Sequence, residues 1–578
     1  MFVREKQIGP YRYVYLVESV REGGRTMQRI IKNLGRQEQV AANGDLDRLA
    51  RSAARLAQRS MILSLLDQGG VPTLATRRIG PPLAFERLWR ETGCRGVIED
   101  LAAERSFGFA LERACFLTVL HRLMVAGSDR AADAWRQDYR IDGTEELALH
   151  HLYRTMGWLG EALPVAEQAG RTPFAPRCLK DLVEERLFEA RKDLFSELSL
   201  VFMDTTSLYF EGAGGETLGQ RGHSKDHRPD LMQMVVAVVM DQRGRPLCCE
   251  MWPGNTTDVT ALIPVVDRLG QRFGISRVCV VADRGMISAQ TITALEARGL
   301  EYILGVRERS SKEVRTAVLS DDAPFVPLVI PVGRSGRGWG PVPQPDRPTG
   351  RPDTELEAKA VTLGDRRYIV CRNRAEAEQD AAARDTIVAK LRQALRRGDK
   401  ALVGNAGYRR FLKTPEVGFA IDDKRVAEDA RFDGVFVLRT NTSLDPLQAM
   451  LRYRELQGVE QLFRSAKSLL ATRPIFHKCD ATIRGHVFCS FLALVLRKQL
   501  QDRLAAAGLV PEWADVLRDL DRLQEVEVEQ DGKRFVLRTP VTGCAGKLFQ
   551  TLGVALPPNI RDANAQAATL AEPAQLSC

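Results

Sequence analysis

The stretch 447-LQAMLRYRELQGVEQLFRSAKSLL-470 sets a single glutamate, Glu460, among cations at helical spacing. Glu460, Arg464 and Lys467 fall at i, i+4 and i+7, and Tyr453 precedes Glu460 by seven residues, so a helix carries all four along one stripe. Leu447, Met450, Leu451, Val459, Leu462, Phe463, Leu469 and Leu470 give that helix apolar faces broad enough to bury it against something larger. Taken alone, Glu460 and Arg464 read as a surface ion pair stabilising the helix by roughly 0.3 kcal/mol. Two aspartates earlier in the chain change that reading. Asp204 lies inside 201-VFMDTTS-207 and Asp283 closes 280-VVADRG-285. A carboxylate in an apolar strand is costly unless its charge is compensated, and a divalent cation is the strongest compensator available.

A second set, His477, Cys479, His486 and Cys489, offers zinc-type ligands within thirteen residues. Its H-x-C-x6-H-x2-C spacing fits no common zinc module, and His486 and Cys489 sit in an apolar helical run. Core packing is the reading here.

The chain has 578 residues, too many for one core of usual size, and so three to five structural units are expected. Lys and Arg number 83 against 74 Asp and Glu, a net charge of +9 that favours a polyanionic partner without proving one. Eleven cysteines without repeated short spacing read as free thiols in a reducing cytoplasm. Arg4, Glu5 and Lys6 stand where a signal peptide needs an apolar run. The longest apolar stretch, 487–496, is about half of a membrane span, so a cytoplasmic protein is expected.

Alternation at Tyr11, Tyr13, Tyr15 and Val17, a turn at 22-EGGR-25 and a return over 26–33 predict an N-terminal β-hairpin within residues 1–40. Its Arg12, Arg21, Arg25, Arg29 and Lys32 suit either a phosphate backbone or a solvated face. Residues 41–195 read as a mainly helical, DNA-end-binding module. The pattern then changes. Strands are predicted over 198–209, 231–240 and 247–252, followed by a helix over 258–273 that Pro264 should kink or delay. A strand over 277–282, a helix over 288–298 and a strand over 301–306 complete the run. Residues 307–446 read as a β-rich insertion with a Gly/Pro/Arg loop around Trp339. Residues 447–510 hold the Glu460 helix and a long apolar helix. Residues 511–578 form a C-terminal region, with a hairpin turning at 531-DG-532 and a disordered tail.

Three adjacent strands, then helix, strand, helix, strand, is the order of an α/β ribonuclease-H-like core. In that fold the first and fourth strands are neighbours, which would bring Asp204 and Asp283 to one sheet edge. With these contexts, 203-MDTTSLYFEG-212, 282-ADRGMIS-288 and Tyr453, Glu460 and Lys467, the sequence resembles the DDE transposases of bacterial insertion sequences. The subgroup resembled has a β-rich insertion before the last acid and a Tyr-Arg-Glu-Lys signature. The 177 positions from Asp283 to Glu460 accommodate such an insertion, and 222-GHSKDHRPDLMQ-233 and 473-RPIFHKCDATIRGHVFCSFLALVL-496 are similar to family segments. One position departs: Leu456 stands where the signature has its arginine, and Arg464, one turn after Glu460, is a candidate to take over its phosphate contact.

The resemblance implies cut-and-paste transposition: metal-dependent cleavage at the transposon ends, then transfer of the freed 3′-hydroxyl into target DNA. Asp204, Asp283 and Glu460 would hold two Mg²⁺ or Mn²⁺ ions, hard cations suited to oxygen ligands. Tyr453, Arg464 and Lys467, with Lys225 and Arg228, would bind DNA phosphate, and Trp339 would hold a flipped base. Terminal inverted repeats and target DNA are the implied partners, with a homodimer on DNA near the bacterial nucleoid and no membrane or small-molecule substrate. A ribonuclease-H-like nuclease of other specificity, or a DNA-binding protein with a lapsed catalytic centre, would carry the same acids.

Overall fold

The computed structural model describes residues 2–22, 25–43, 73–125, 127–172, 174–192, 200–222, 228, 230–241, 243–275, 279–282, 288–306, 312–328, 356–364, 366–396, 410–413, 419–454, 475–530 and 533–562. The chain divides into two units. The smaller comprises Met1–Thr76, Val526–Leu537 and Asn559–Cys578, and the larger comprises Arg77–Glu525 and Arg538–Pro558.

The smaller unit begins with an antiparallel meander, β1 (Phe2–Ile8), β2 (Tyr11–Glu22) and β3 (Arg25–Arg36). The expected hairpin therefore gains a strand ahead of it. Val14 and Val17 are buried, and Val40 of the short Gln37–Ala42 helix is buried against the sheet near Gly35. Arg29 is engaged by Glu18 at 2.6 Å, and the Arg36 guanidinium lies over the Tyr11 ring at 3.8 Å. A second sheet orders β18 (Ile560–Asp562), β17 (Lys533–Arg538), β16 (Gln524–Gln530) and β4 (Thr73–Arg78). β4 falls inside the stretch read as helical. Its six residues, TLATRR, carry no apolar alternation that would announce a strand. Residues 44–72 of the module read as helical lie outside the described residues.

The larger unit is built on a nine-stranded mixed sheet. β5 (Leu200–Tyr209), β6 (Gln233–Asp241) and β7 (Pro246–Pro253) form an antiparallel run, and β8 (Cys279–Ala282) and β9 (Glu301–Gly305) add to the other side of β5 in parallel. The spatial order β7-β6-β5-β8-β9 is the ribonuclease-H-like arrangement. Each face of these strands is covered, which is why they read as near-continuous apolar runs. Val201, Met203, Val235, Ala237, Val280 and Ala282 pack against Leu262, Val265 and Leu269 of the Asp258–Phe273 helix and Leu295 of the Ala289–Ala297 helix. Phe202, Leu208, Val236, Val238 and Val281 join the opposite core. The Asp258–Phe273 helix is continuous with Pro264 inside it, so Pro264 does not delay its start.

Residues read as the insertion extend this same sheet. β15 (Val435–Thr440) pairs antiparallel with β9, and β12 (Arg366–Asn373), β11 (Leu356–Leu363) and β10 (Val326–Leu328) follow outward. A small pair, β13 (Leu412–Lys413) with β14 (Ala420–Ile421), packs beside the Arg374–Arg396 helix. The Asp480–Ala506 helix is buried along most of its length and crosses the Leu149–Leu159 helix closely. A Cβ at Gly485 would stand 1.9 Å from the Met156 carbonyl oxygen, so only glycine permits that crossing.

Candidate active site

Backbone register aligns the positions that matter. β5 and β8 pair in parallel with Met203 opposite Ala282, and β8 and β9 pair with Ala282 opposite Leu304. Asp204 is the next residue of β5 and Gly305 the next of β9, while position 283 directly follows the last residue of β8. Adjacent strands lie about 4.8 Å apart, so Met203, Ala282 and Leu304 form a row across three neighbouring strands, with Asp204 and Gly305 one step beyond it. On its other side Asp204 pairs with Val238 of β6.

Tyr453 stands beside Gly305, one step beyond that row on β9. A Cβ at Gly305 would come within 2.3 Å of Tyr453 Oη, so the absence of a side chain there makes room for the phenol. Tyr453 belongs to helical residues 446–454, whose Ala449 and Met450 are fully buried in the core beneath the sheet. That buried footing fixes the start of the helix read from the sequence. Asp283, Glu460, Arg464, Lys467, Lys225, Trp339 and Leu456 lie outside the described residues. Arg228 is described, and its guanidinium pairs with Asp230 at 2.9 Å and lies 5.6 Å from the Tyr209 ring centroid.

The chain returns from residues 455–474 onto the strand that carries Asp204. Ile475 bridges in parallel to Phe210, and Glu211 donates its amide to the Ile475 carbonyl at 3.1 Å. Asp480 then accepts the amides of Glu216 at 2.9 Å and Thr217 at 3.1 Å. Gly215 has φ +84°, and a Cβ there would sit 2.1 Å from Asp480 Oδ1. Neither anchor was singled out in the sequence. The only signal was the family-like stretch 473–496 in which Asp480 lies.

Two cysteines of the central sheet are held as thiols. Burial pushes the Cys279 thiol in β8 up to about 12, and does the same to Cys371 in β12, so both remain protonated. His121 moves the opposite way. Burial, with Arg122 beside it, holds its pKa down to about 4. A histidine depressed on folding contributes stability that is full above its unfolded value and lost as pH falls towards the folded one. Thermal or urea unfolding should therefore be flat near neutrality and weaken between about pH 6.5 and 4 by roughly 2–3 kcal/mol. A His121→Gln chain should lose part of that slope; an unchanged slope would assign it to other groups.

Residues 196–496 match the Transposase DDE domain family, and residues 3–65 match the IS1634 family transposase N-terminal domain. The first match alone spans more than half of the 578 residues. The chain belongs to the DDE transposases. It is thus a DNA transposase of the bacterial insertion-sequence kind, an enzyme that cleaves DNA and transfers strands with divalent metal ions. A search of the curated proteins found no relative that matches the transposase. Among its described residues, no helix is long and apolar enough to cross a membrane.

Proposed function

We propose that this transposase works by cut-and-paste, with Asp204, Asp283 and Glu460 as its catalytic acids and metal ligands, and that it falls in the Tyr-Arg-Glu-Lys subgroup with a β-rich insertion. The support is the single row across β5, β8 and β9: Asp204 one step beyond Met203, position 283 one step beyond Ala282, and Tyr453 over Gly305. The donor set fits the cofactor. Carboxylates brought to one sheet edge repel one another until a hard divalent cation, Mg²⁺ or Mn²⁺, compensates them. Two such ions, when bound, supply Lewis-acid activation of the attacking oxygen and neutralise charge on the phosphate and leaving oxygen.

The chain's own groups then position DNA. A water oxygen attacks the phosphorus at the transposon end, the P–O3′ bond breaks, and a 3′-hydroxyl and a 5′-phosphate result. That 3′-hydroxyl attacks a phosphodiester of the complementary strand or the target in the same in-line way. Tyr453 donates to the terminal phosphate from beside Gly305 of β9, and Arg464 and Lys467, spaced four and seven positions beyond Glu460, add their charge to it. Arg464 takes the place of the arginine that Leu456 lacks. Lys225 and Arg228 hold DNA from the loop before β6, and Trp339 stacks on a displaced base. Because transposition joins two ends, the active form is a homodimer on DNA.

A labelled DNA fragment ending in the element's terminal inverted repeat, incubated with the protein and Mg²⁺, tests this reading. A 3′-hydroxyl cut at the defined terminus followed by joining supports it. Cutting without regard to the terminus would make the protein a nuclease, and binding without cutting would make it a lapsed transposase.

A further inference from the structure

The structure dissolves the short-range His/Cys pattern and forms another set in its place. Cys479 is exposed and Cys489 is buried in the core, while His477 and His486 turn towards Asp129 at the start of the Asp129–Trp135 helix, 348 residues before His477. His477 Nε2 lies 3.2 Å from Asp129 Oδ2 and 3.1 Å from His486 Nδ1, and His486 Nδ1 lies 3.2 Å from Asp129 Oδ2. Asp129 and His486 are each 3% exposed.

We propose that Asp129 Oδ2, His477 Nε2 and His486 Nδ1 form a binding site for one zinc-type transition-metal ion, separate from the catalytic carboxylates. A tetrahedral zinc centre with bonds of about 2.0–2.1 Å sets its ligand atoms about 3.3 Å apart. The three atoms already form one face of such a tetrahedron. Two imidazoles and one carboxylate select a borderline ion such as Zn²⁺ over the hard Mg²⁺.

Protons alone do not satisfy the cluster. Arg122 Nη2 stands 2.9 Å from His486 Nδ1. If Nδ1 is bare it accepts from the arginine, but it then faces the Asp129 oxygen as acceptor against acceptor. If Nδ1 carries the proton it donates to Asp129 and faces Arg122 as donor against donor. In either tautomer the other ring nitrogen, His486 Nε2, is buried without a partner among the described residues. An ion on the three lone pairs turns all three close approaches into ligand contacts.

Arg122 does not need Nδ1. It also donates to Asp129 Oδ1 at 3.1 Å, to Ser490 Oγ at 2.7 Å and to the His486 carbonyl. It thus holds the carboxylate by the oxygen that the metal leaves free and fixes the ring that would ligate, as outer-shell partners of metal ligands do. The ion would tie the Ile475–His477 segment, which re-enters the fold after the Glu460 region, to two helices at once.

The test uses the full, untagged chain freed of metal and titrated with Zn²⁺, or with Co²⁺ read by its tetrahedral visible bands. Stoichiometric binding with those bands is expected, and a raised unfolding temperature with it. His477→Gln, whose side chain is 13% exposed and whose loss the fold should tolerate, should weaken binding by at least about tenfold, as should Asp129→Asn. Cys479→Ser and the catalytic-acid variant Asp204→Asn should keep the bands. No stoichiometric ion in the parent chain, or bands that survive in a folded His477→Gln chain, would overturn the site.

Discussion

Asp204→Asn, Asp283→Asn or Glu460→Gln should each lower cleavage of a transposon end by at least about 10³-fold while leaving binding to that end within a small factor of the parent. The asymmetry follows from where each group acts. End binding draws on many phosphate contacts, and its strength depends on summed cations rather than on any one acid. Cleavage requires charge to be stabilised at one phosphorus, and in the proposed centre a neutral amide at any of the three positions would remove a ligand without altering shape. Tyr453→Phe is the graded companion. It keeps the ring against the core and removes only the hydroxyl beside Gly305, so a loss of roughly tenfold in cleavage is expected, the order of one hydrogen bond. A time course on a labelled end, with gel-shift binding in parallel, reads all four. Wild-type cutting by Asp204→Asn would remove this residue from the centre. Equal loss of binding and cutting in every variant would mean that the substitutions damage the fold.

The central sheet is where the sequence spoke most clearly. β5, β6 and β7 are apolar on both faces and separated by turn residues, and the two helices after them carry their own period, so order alone implied the ribonuclease-H-like core. Pairings over long separations left no such trace. β15 returns from position 435 to cover the free edge of β9, and nothing local to Val435–Thr440 says which edge it will choose. Asp129 likewise looks like an ordinary first-turn acid after Ser128, which caps the helix through the Ala131 amide. The local cap explains Asp129 in the sequence; only the fold shows what its carboxylate meets.

The charges of the Leu179–Ala190 helix were just as deceptive, and they carry the second large effect: Arg272→Met should destabilise the larger unit by about 3–5 kcal/mol. In the sequence, Lys180, Asp181, Glu184, Arg268 and Arg272 look like solvated helix residues with i,i+4 partners. In the fold Lys180, Asp181, Glu184 and Arg268 are buried together with Glu250 of β7, and the Arg272 side chain is 2% exposed. Arg272 binds Glu184 at 2.6 Å, Glu185 at 2.8 Å and Glu250 at 3.3 Å, and Arg268 binds Asp181 and Glu250 at 3.0 Å each. Lys180 donates to Asp181 at 2.6 Å and to the Cys249 carbonyl at 2.8 Å, which ties the helix to the sheet. Lys180, Arg268 and Arg272 balance Asp181, Glu184 and Glu250, so losing one cation strands a carboxylate in the dry interior. Burial alone would push the Asp181 carboxyl up, but Lys180, Arg272 and Arg268 outweigh it and hold it below the usual carboxylate range. Its contribution is therefore full at neutral pH and is lost only as pH falls through and below that range. Arg298→Met is the control. Its partner Asp267 lies at 2.6 Å, yet both side chains are more than a third exposed, and about 0–1 kcal/mol is the expected cost. Urea unfolding of both variants beside the parent compares them. A loss below about 1 kcal/mol for Arg272→Met would mean that solvent or a neighbouring rearrangement neutralises Glu184 and Glu250, and that the network is not what fastens this helix to β7.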